Sequence, residues 1–456
     1  MAVRPVNPPA IGWSLTLSLR LWRDLSRHLF RNDANEHGAV LLAGRSEGPR
    51  GPRLLGRELI LAQDDIDYVP GTTGYRALSA DFVRDAAVRA RDERLGYLAV
   101  HNHPEADVVG FSGIDLASHE RGYPTLRQLT GQIVGGLVLT PQAAAGDLWL
   151  PDGSRRDLAE LVIPGNNLIR LRPHPTSNRR LGQADSRHDR QTRLFGDRGQ
   201  ETLRALRIAV VGLGGVGSII VEFLARLGVG DLVLIDPDHV DDTNLPRLVA
   251  AETTDVGRPK IELAARNARR ANPDARLTLL GEGVESERAR AALATCDWIF
   301  LAADTHSARH WVNTVIHNYV IPATQAGVKI PVTETGDIGQ IHAVSRLLLP
   351  GEGCMWCNNL IDPTELAIDM QPEAERRAAR YIDEVPAPSV IALNSLAASE
   401  AVNHFMLAAT GLHIDDYDTG AVLQRPRTRE RDLVDHRQDS ACPACSLAGP
   451  LGRGVA

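Results

Sequence analysis

The chain is almost without lysine. Of its 50 basic residues, only Lys260 and Lys329 are lysine. The base composition of a GC-rich bacterial genome accounts for such a bias. A protein handling lysine-directed chemistry would also gain from avoiding its own target. On either reading, a lysine that survives is one the protein needs. Positive charge is in deficit too: the formal net charge of −7 argues against a general nucleic-acid binder, which would be basic. Long apolar runs are missing, and none approaches the ~20 residues of a membrane helix. The apolar stretch "IGWSLTLSLRLW" alternates and soon meets Arg20 and Arg23. It reads as a half-buried strand, not a signal peptide. A cytoplasmic protein without membrane or nucleic-acid partners is therefore expected. In that reducing compartment the five cysteines suit metal ligation or nucleophilic chemistry rather than disulfides.

A chain of 456 residues, 43% hydrophobic and 23% charged, is soluble in character and too long for one core. Residues 1–172 alternate strands and helices: "SLTLSLRLW", "GAVLLAG", "RELILAQ", "GYLAVHNHP", "IVGGLVLT", "DLWLP". Residues 173–188 are polar and aperiodic, and read as a linker. From residue 189 to 456 runs a second α/β pattern: "RIAVVGLGG", "GDLVLIDPD", "RLTLLGEGV", "DWIFLAAD". These buried-strand runs between helices predict a Rossmann-like, mostly parallel sheet.

Within "LAVHNHPEADVVGFSGIDLASHE", alternate residues of a strand share one side, so His101 and His103 can face one point. Pro104 ends the strand. Ser112 opens a helix, with Asp115 one turn on. Two imidazoles and a carboxylate are the ligand set of a catalytic zinc with its fourth position left for water. Such a site needs a base and an oxyanion donor. Glu36, at the mouth of the strand in "NEHGAVLLAG", suits the first and Ser112 the second. His119 is a rival ligand, and His37 sits beside the site.

The order Glu36-x-Gly38, His101-x-His103-Pro104, Ser112-x-x-Asp115 resembles the JAMM/MPN family of zinc metalloproteases, over roughly residues 10–165. That family includes enzymes that remove ubiquitin-like proteins. The resemblance implies a mixed sheet with helices. It also implies zinc on His101, His103 and Asp115, Glu36 as general acid/base, and Ser112 steadying the tetrahedral intermediate.

The second half opens on a strand, then Gly212-x-Gly214-x-x-Gly217, a helix, and a strand ending at Asp236. The glycines allow a tight turn and close approach to phosphates at a helix N-terminus. Asp236 is placed for a ribose hydroxyl. Alone, this is an NAD fingerprint. The residues downstream suit ATP and Mg²⁺ instead: Asp238, Asn244, Arg247, Lys260 and Asp304 are basic, polar and acidic groups at strand ends.

This constellation resembles the ThiF/MoeB/ubiquitin-activating adenylyltransferase family from Arg190 to about Leu412. The family pattern falls on Asp236, Asn244, Arg247, Lys260 and Asp304. Leu248 departs from it, since the family often has glutamine there. By resemblance Arg190 reaches a neighbouring subunit's triphosphate, which implies a homodimer. Cys354-x-x-Cys357 and Cys442-x-x-Cys445 form two chelating pairs for a structural zinc; a redox pair is the rival. Cys296 reads as packing. The loop that carries a thioester cysteine in many ubiquitin-activating enzymes has none here. Ser389 lies near that place and reads more readily as a helix N-cap.

These readings combine into a bifunctional enzyme. A zinc peptidase would cut after the C-terminal glycine of a ubiquitin-like protein, and an adenylyltransferase would activate that glycine, with a conjugating-enzyme-like partner downstream. The alternative within the same chemistry is activation of a sulfur carrier for cofactor or amino-acid biosynthesis. From other classes, an NAD-dependent oxidoreductase or a non-catalytic nucleotide-binding scaffold stays open.

Overall fold

The structure is a computed structural model. It describes residues 7–454 except 34, 71–73, 75, 104–107, 175–185, 334, 373–374, 376–386 and 416–418. Pro104 and most of the linker lie outside the described residues.

The first eight strands are β1 (Trp13–Thr16), β2 (Gly38–Ser46), β3 (Arg53–Leu61), β4 (Gly96–Asn102), β5 (Val134–Leu139), β6 (Ala144–Trp149), β7 (Arg155–Ile163) and β8 (Ile169–Leu171). They pair in the order β1-β3-β2-β4-β5-β6-β7-β8, and β1 also pairs with β7. That second pairing closes β1 to β7 into a barrel, while short β8 pairs with β7 alone. β1 runs parallel to both of its neighbours, and β4 runs parallel to β5; the other pairs are antiparallel. Helices α1 (Leu19–Leu29), α2 (Ala80–Glu93) and α3 (Gly113–Thr130) accompany it.

The N-terminal alternation is only half strand. "WSLT" is β1, but "LRLW" opens α1, because the Ser18 side chain accepts the Leu21 amide and caps a helix there. Leu19, Leu25 and Leu29 then turn inward at helical spacing.

The second half contains α4 (Asp189–Ala205), β9 (Arg207–Val211), α5 (Gly215–Arg226), β10 (Asp231–Ile235), α6 (Lys260–Ala271), β11 (Arg276–Leu280), α7 (Glu287–Leu293) and β12 (Trp298–Leu301). It continues with α8 (His306–Tyr319), β13 (Ala323–Lys329), β14 (His342–Leu348), α9 (Pro363–Asp369), α10 (Ile391–Ala409), β15 (Ala421–Arg425) and β16 (Glu430–Val434). The sheet order is β11-β10-β9-β12-β13-β14-β15-β16. The first five are parallel and the last three antiparallel. β9 connects outward to β10 on one side and lies against β12 on the other. The crevice beyond their C-terminal ends is thus the switch point where open α/β sheets bind ligands.

The two halves share one apolar core, which includes Leu15 and Leu161 of the first and Ile208 and Trp298 of the second, and polar contacts add to it. Buried Arg57 of β3 donates to the carbonyls of Leu447, Gly449 and Leu451. Gly454 bridges Arg45 of β2 on one side and donates to Asn318 of α8 on the other. Among the described residues, no helix is long and apolar enough to cross a membrane.

Candidate functional site

Two clusters of metal-ligating side chains stand out among the described residues, and a glycine loop marks a third site.

The first cluster is at the end of the barrel. β4 presents His101 and His103, and Asp115 comes from the first turn of α3. His101 Nε2 lies 3.3 Å from His103 Nε2. Asp115 Oδ1 is 3.6 Å from His101 Nε2, and Oδ2 is 3.5 Å from His103 Nε2. Three ligands on a tetrahedral zinc with bonds of about 2.0–2.1 Å would stand roughly 3.3 Å apart, so the donor set fits that ion. Burial pushes the Asp115 carboxyl up, but hydrogen bonds with His101, His103 and Ser112 outweigh it and hold it well below the usual carboxylate range. Glu36 Oε1 approaches to 3.9 Å from His103 Nε2.

Ser112 is the N-cap of α3 in a capping box: its Oγ accepts the Asp115 amide, and Asp115 accepts the Ser112 amide. Accepting leaves the hydroxyl proton available to a ligand. The rival ligand His119 is not in the cluster. Its Nδ1 is 2.8 Å from Asp147, and its ring stacks on Tyr123. A helical turn beyond Asp115 carries it under the sheet, to a carboxylate already held by Arg155 and Trp149. His37 hydrogen-bonds Asp33 and stands beside the site.

The glycine loop comes directly after β9. Gly212 has φ +86°, and a Cβ there would stand 2.6 Å from the Ala303 amide. A Cβ on Gly217 would collide with the Gly212 carbonyl. Both positions therefore require glycine. Gly214 caps α5 without a side chain, and a Cβ on it would have nothing within 4 Å. Space is thus open beside the loop at Gly214.

Asp236 is buried and its carboxyl is raised by that burial, while the Leu213 and Asp238 amides and Lys260 oppose the rise. Its two oxygens take the Leu213 amide at 2.5 Å and the Asp238 amide at 2.8 Å. The expected ribose ligand is, in this structure, first a brace for the glycine loop. Lys260 opens α6 and its Nζ lies 2.8 Å from Asp238 Oδ2. Arg247 donates to the Thr243 carbonyl, and its Cδ lies 3.4 Å from where a Gly215 Cβ would be. Asn244 is buried beside it. Asp304 is exposed just before Thr305, the cap of α8.

Arg190 sits exposed in the first turn of α4 and is not among the residues gathered at this chain's own loop, as a residue expected to reach a neighbouring subunit need not be. Leu248 packs with Val240 and Leu263, so its apolar character has a small core to serve. Ser389 is not a cap: the N-cap of α10 is Val390, with no side-chain bond. Instead Asn394 Nδ2 donates to Ser389 Oγ at 3.0 Å. That same Nδ2 stands in the place a Gly215 Cβ would take. Sequence reasoning missed Asn394. The available signal was a buried amide in the otherwise apolar run "VIALNSLAASEAV". The second lysine, Lys329, ends β13 exposed, and nothing in the structure explains its retention.

The cysteines complete the picture. Sγ separations are 3.6 Å for Cys354–Cys357, 3.8 Å for Cys354–Cys442 and 3.7 Å for Cys357–Cys445. A tetrahedron of Zn–S bonds of about 2.3 Å has edges of roughly 3.8 Å. The four thiols fit a closed zinc site. Cys296 is buried, which pushes its thiol up to about 12. It packs, as expected, and is no nucleophile.

The fold and glycine loop define a Rossmann-like α/β half joined to a closed barrel. A family model described as "ThiF family" matches residues 188–431, more than half of the chain, and the chain belongs to that family. It is 35% identical over 162 residues to the SAMP-activating enzyme E1 of Haloferax volcanii, covering 36% of this chain and 56% of that protein. It is 28% identical over 208 residues to the sulfur carrier protein ThiS adenylyltransferase of Escherichia coli, covering 45% of this chain and 74% of that protein. The chain thus spans little more than half the length of the first of these relatives. Among solved structures, E. coli MccB overlaps 58% of this chain and 73% of its own at a TM-score of 0.46 and 19% identity.

Proposed function

We propose that the ThiF-type half activates the C-terminal carboxylate of a small carrier protein as its adenylate. The observation that carries this reading is the loop at the β9–β12 switch point, braced by Asp236 and flanked by Arg247, Lys260 and Asp304. The carboxylate oxygen attacks the α-phosphorus of ATP, and pyrophosphate leaves. A carboxylate is already a nucleophile, so no general base is required. Lys260, Arg247 and loop amides would position the phosphates and offset their charge, with Asp304 holding Mg²⁺. Arg190 would act across a homodimer. The names of the relatives support a sulfur carrier at least as well as a ubiquitin-like modifier. The exposed Asp238–Lys260 pair also has work to do around a triphosphate and none around a nicotinamide. The test is ATP–pyrophosphate exchange, assayed with small β-grasp proteins ending in glycine. Tight NAD binding without ATP binding would reject the reading. A thiocarboxylate product would mark sulfur transfer, and a protein conjugate would mark modification.

A second reading concerns the barrel. The convergence of His101, His103, Asp115 and Glu36 supports a zinc hydrolase of the JAMM type, acting beside the carrier's C-terminal glycine. Zinc bound there would bring its water to a pKa near ~7. Glu36 would take and return the proton, and the Ser112 hydroxyl would donate to the developing oxyanion. The four cysteines would hold a second, structural zinc.

A further inference from the structure

The seam between the two sheets carries more positive than negative charge. A cavity of about 50 Å³ lies there, and its lining includes Arg50, Arg53, Arg170, Glu160, Cys296 and Asp297. Arg170 Nη1 pairs with Glu160 at 2.6 Å, and its Nη2 reaches Asp297 at 3.4 Å. Arg50 also binds Asp297. The second oxygen of Glu160 is taken by Arg172 at 3.0 Å. Both carboxylates are therefore fully engaged. Arg53 shares the field of Asp297 with Arg50 and Arg170, but its own hydrogen bonds go to carbonyls, those of Ala294 at 3.0 Å and Tyr319 at 2.9 Å. A carbonyl satisfies a donor but cancels no charge.

Three guanidinium groups thus face two carboxylates among the described residues of the lining. Cys296 cannot supply the missing negative charge, since burial pushes its thiol up to about 12. Nor can Arg53 shed its proton near neutral pH: burial lowers it only to about 10. Arg170 adds a second signal. Its side chain is 4% exposed, and its Nε has no hydrogen-bond partner. Buried charges that outnumber their counter-charges are costly, as is a buried donor left unmade.

We propose that this cavity binds one halide ion of the chloride class, held between Arg53, Arg50 and Arg170. The volume admits a small anion with a water molecule or two, since one water needs roughly 10–15 Å³ of such space. It excludes a nucleotide or a phosphate ester. The site spans both halves of the chain: the arginines come from the barrel, while Asp297 precedes β12 and accepts the Arg207 amide of β9. An ion there ties the barrel to the root of the two strands whose far ends flank the nucleotide crevice. The proposal does not depend on the reaction assigned to that crevice.

The experiment uses the full chain. Thermal unfolding is compared in sodium chloride, sodium bromide and sodium gluconate at equal ionic strength. The melting temperature should be several degrees higher in the two halides, and the increment should saturate with concentration. Arg53→Met should remove the increment. Crystals soaked in bromide should show an anomalous peak bounded by Arg53 and Arg170. Equal melting temperatures in all three salts, with water in place of bromide, would overturn the proposal. If Arg53→Met does not fold, the bromide peak in the unaltered protein decides alone.

Discussion

The Asn394 side chain joins two places that the sequence keeps far apart. Its amide donates to Ser389 Oγ at 3.0 Å and presses against Gly215 in the glycine loop. Ser389 is exposed and so stands at the edge of the proposed nucleotide crevice. The described cysteines offer no rival acceptor, because Cys354, Cys357, Cys442 and Cys445 gather into one four-thiol knuckle and Cys296 is sealed in a core. After incubation with ATP, Mg²⁺ and a carrier, no thiol-sensitive adduct should appear on denaturing gels. Any covalent acyl-enzyme should be base-labile and vanish in Ser389→Ala. A thiol-sensitive adduct mapping to Cys296 would contradict the structure's account of that residue.

Asp304 and Lys260 are both at the surface of the crevice and outside the cores. Asp304→Ala and Lys260→Ala should each lower ATP–pyrophosphate exchange by on the order of 10²-fold, if charge stabilisation dominates. Melting temperatures should move little. Loss of exchange accompanied by gross unfolding would show that these residues build the fold rather than serve the reaction.

The two metal sites should respond independently. Metal analysis should find about two zinc ions per chain. Glu36→Gln should keep both and abolish cleavage of a carrier fusion after its terminal glycine, because the water loses its proton acceptor. His103→Ala should lose one ion, with exchange activity intact. Cys354→Ser should lose the other and destabilise the second half, since structural zinc is coupled to folding. Full cleavage by Glu36→Gln would remove the hydrolase reading.

His317 gives the protein an acid-sensitive point. It is buried in α8, where desolvation lowers it to about 3, and its Nδ1 accepts the Gly351 amide. The unfolded chain binds a proton near pH 6.5, which the folded form refuses until about 3. The stabilisation is therefore complete above pH 6.5 and is lost as pH falls toward 3. At pH 5 the loss from one such residue is about 2 kcal/mol. His317→Asn should flatten the decline in melting temperature between pH 7 and 5. An unchanged slope would place the acid sensitivity elsewhere.

Motifs that are local in sequence were legible. Gly212, Gly214 and Gly217 announce a turn by their spacing, and at Gly212 and Gly217 only glycine tolerates the contacts. His101 and His103 share a strand face by simple alternation. What stayed hidden depends on distant partners. β1 reads as a strand, but its two parallel neighbours, and hence the barrel, lie in no pattern. Asp236 is legible as a ribose ligand, but its bracing of the loop through the Leu213 and Asp238 amides is not. His119 has helical spacing suitable for a ligand and is claimed by Asp147, a residue 28 positions on. The arginines of the seam were invisible for the opposite reason: in a chain where nearly every cation is arginine, no single one draws notice.

The pairing of Cys354 with Cys442, 88 positions apart, also sets a timetable for synthesis. The barrel needs β7 before β1 can find both neighbours, so its first strand waits through most of that half. The knuckle cannot close until Cys442 and Cys445 have left the ribosome. Only then can Leu447 to Leu451 reach Arg57. Until that moment the barrel flank carries a guanidinium without its carbonyls, and the seam stands open. Such long-range closure is slow and exposes sticky surface. The nascent protein is thus most vulnerable late, when nearly all of its secondary structure already exists.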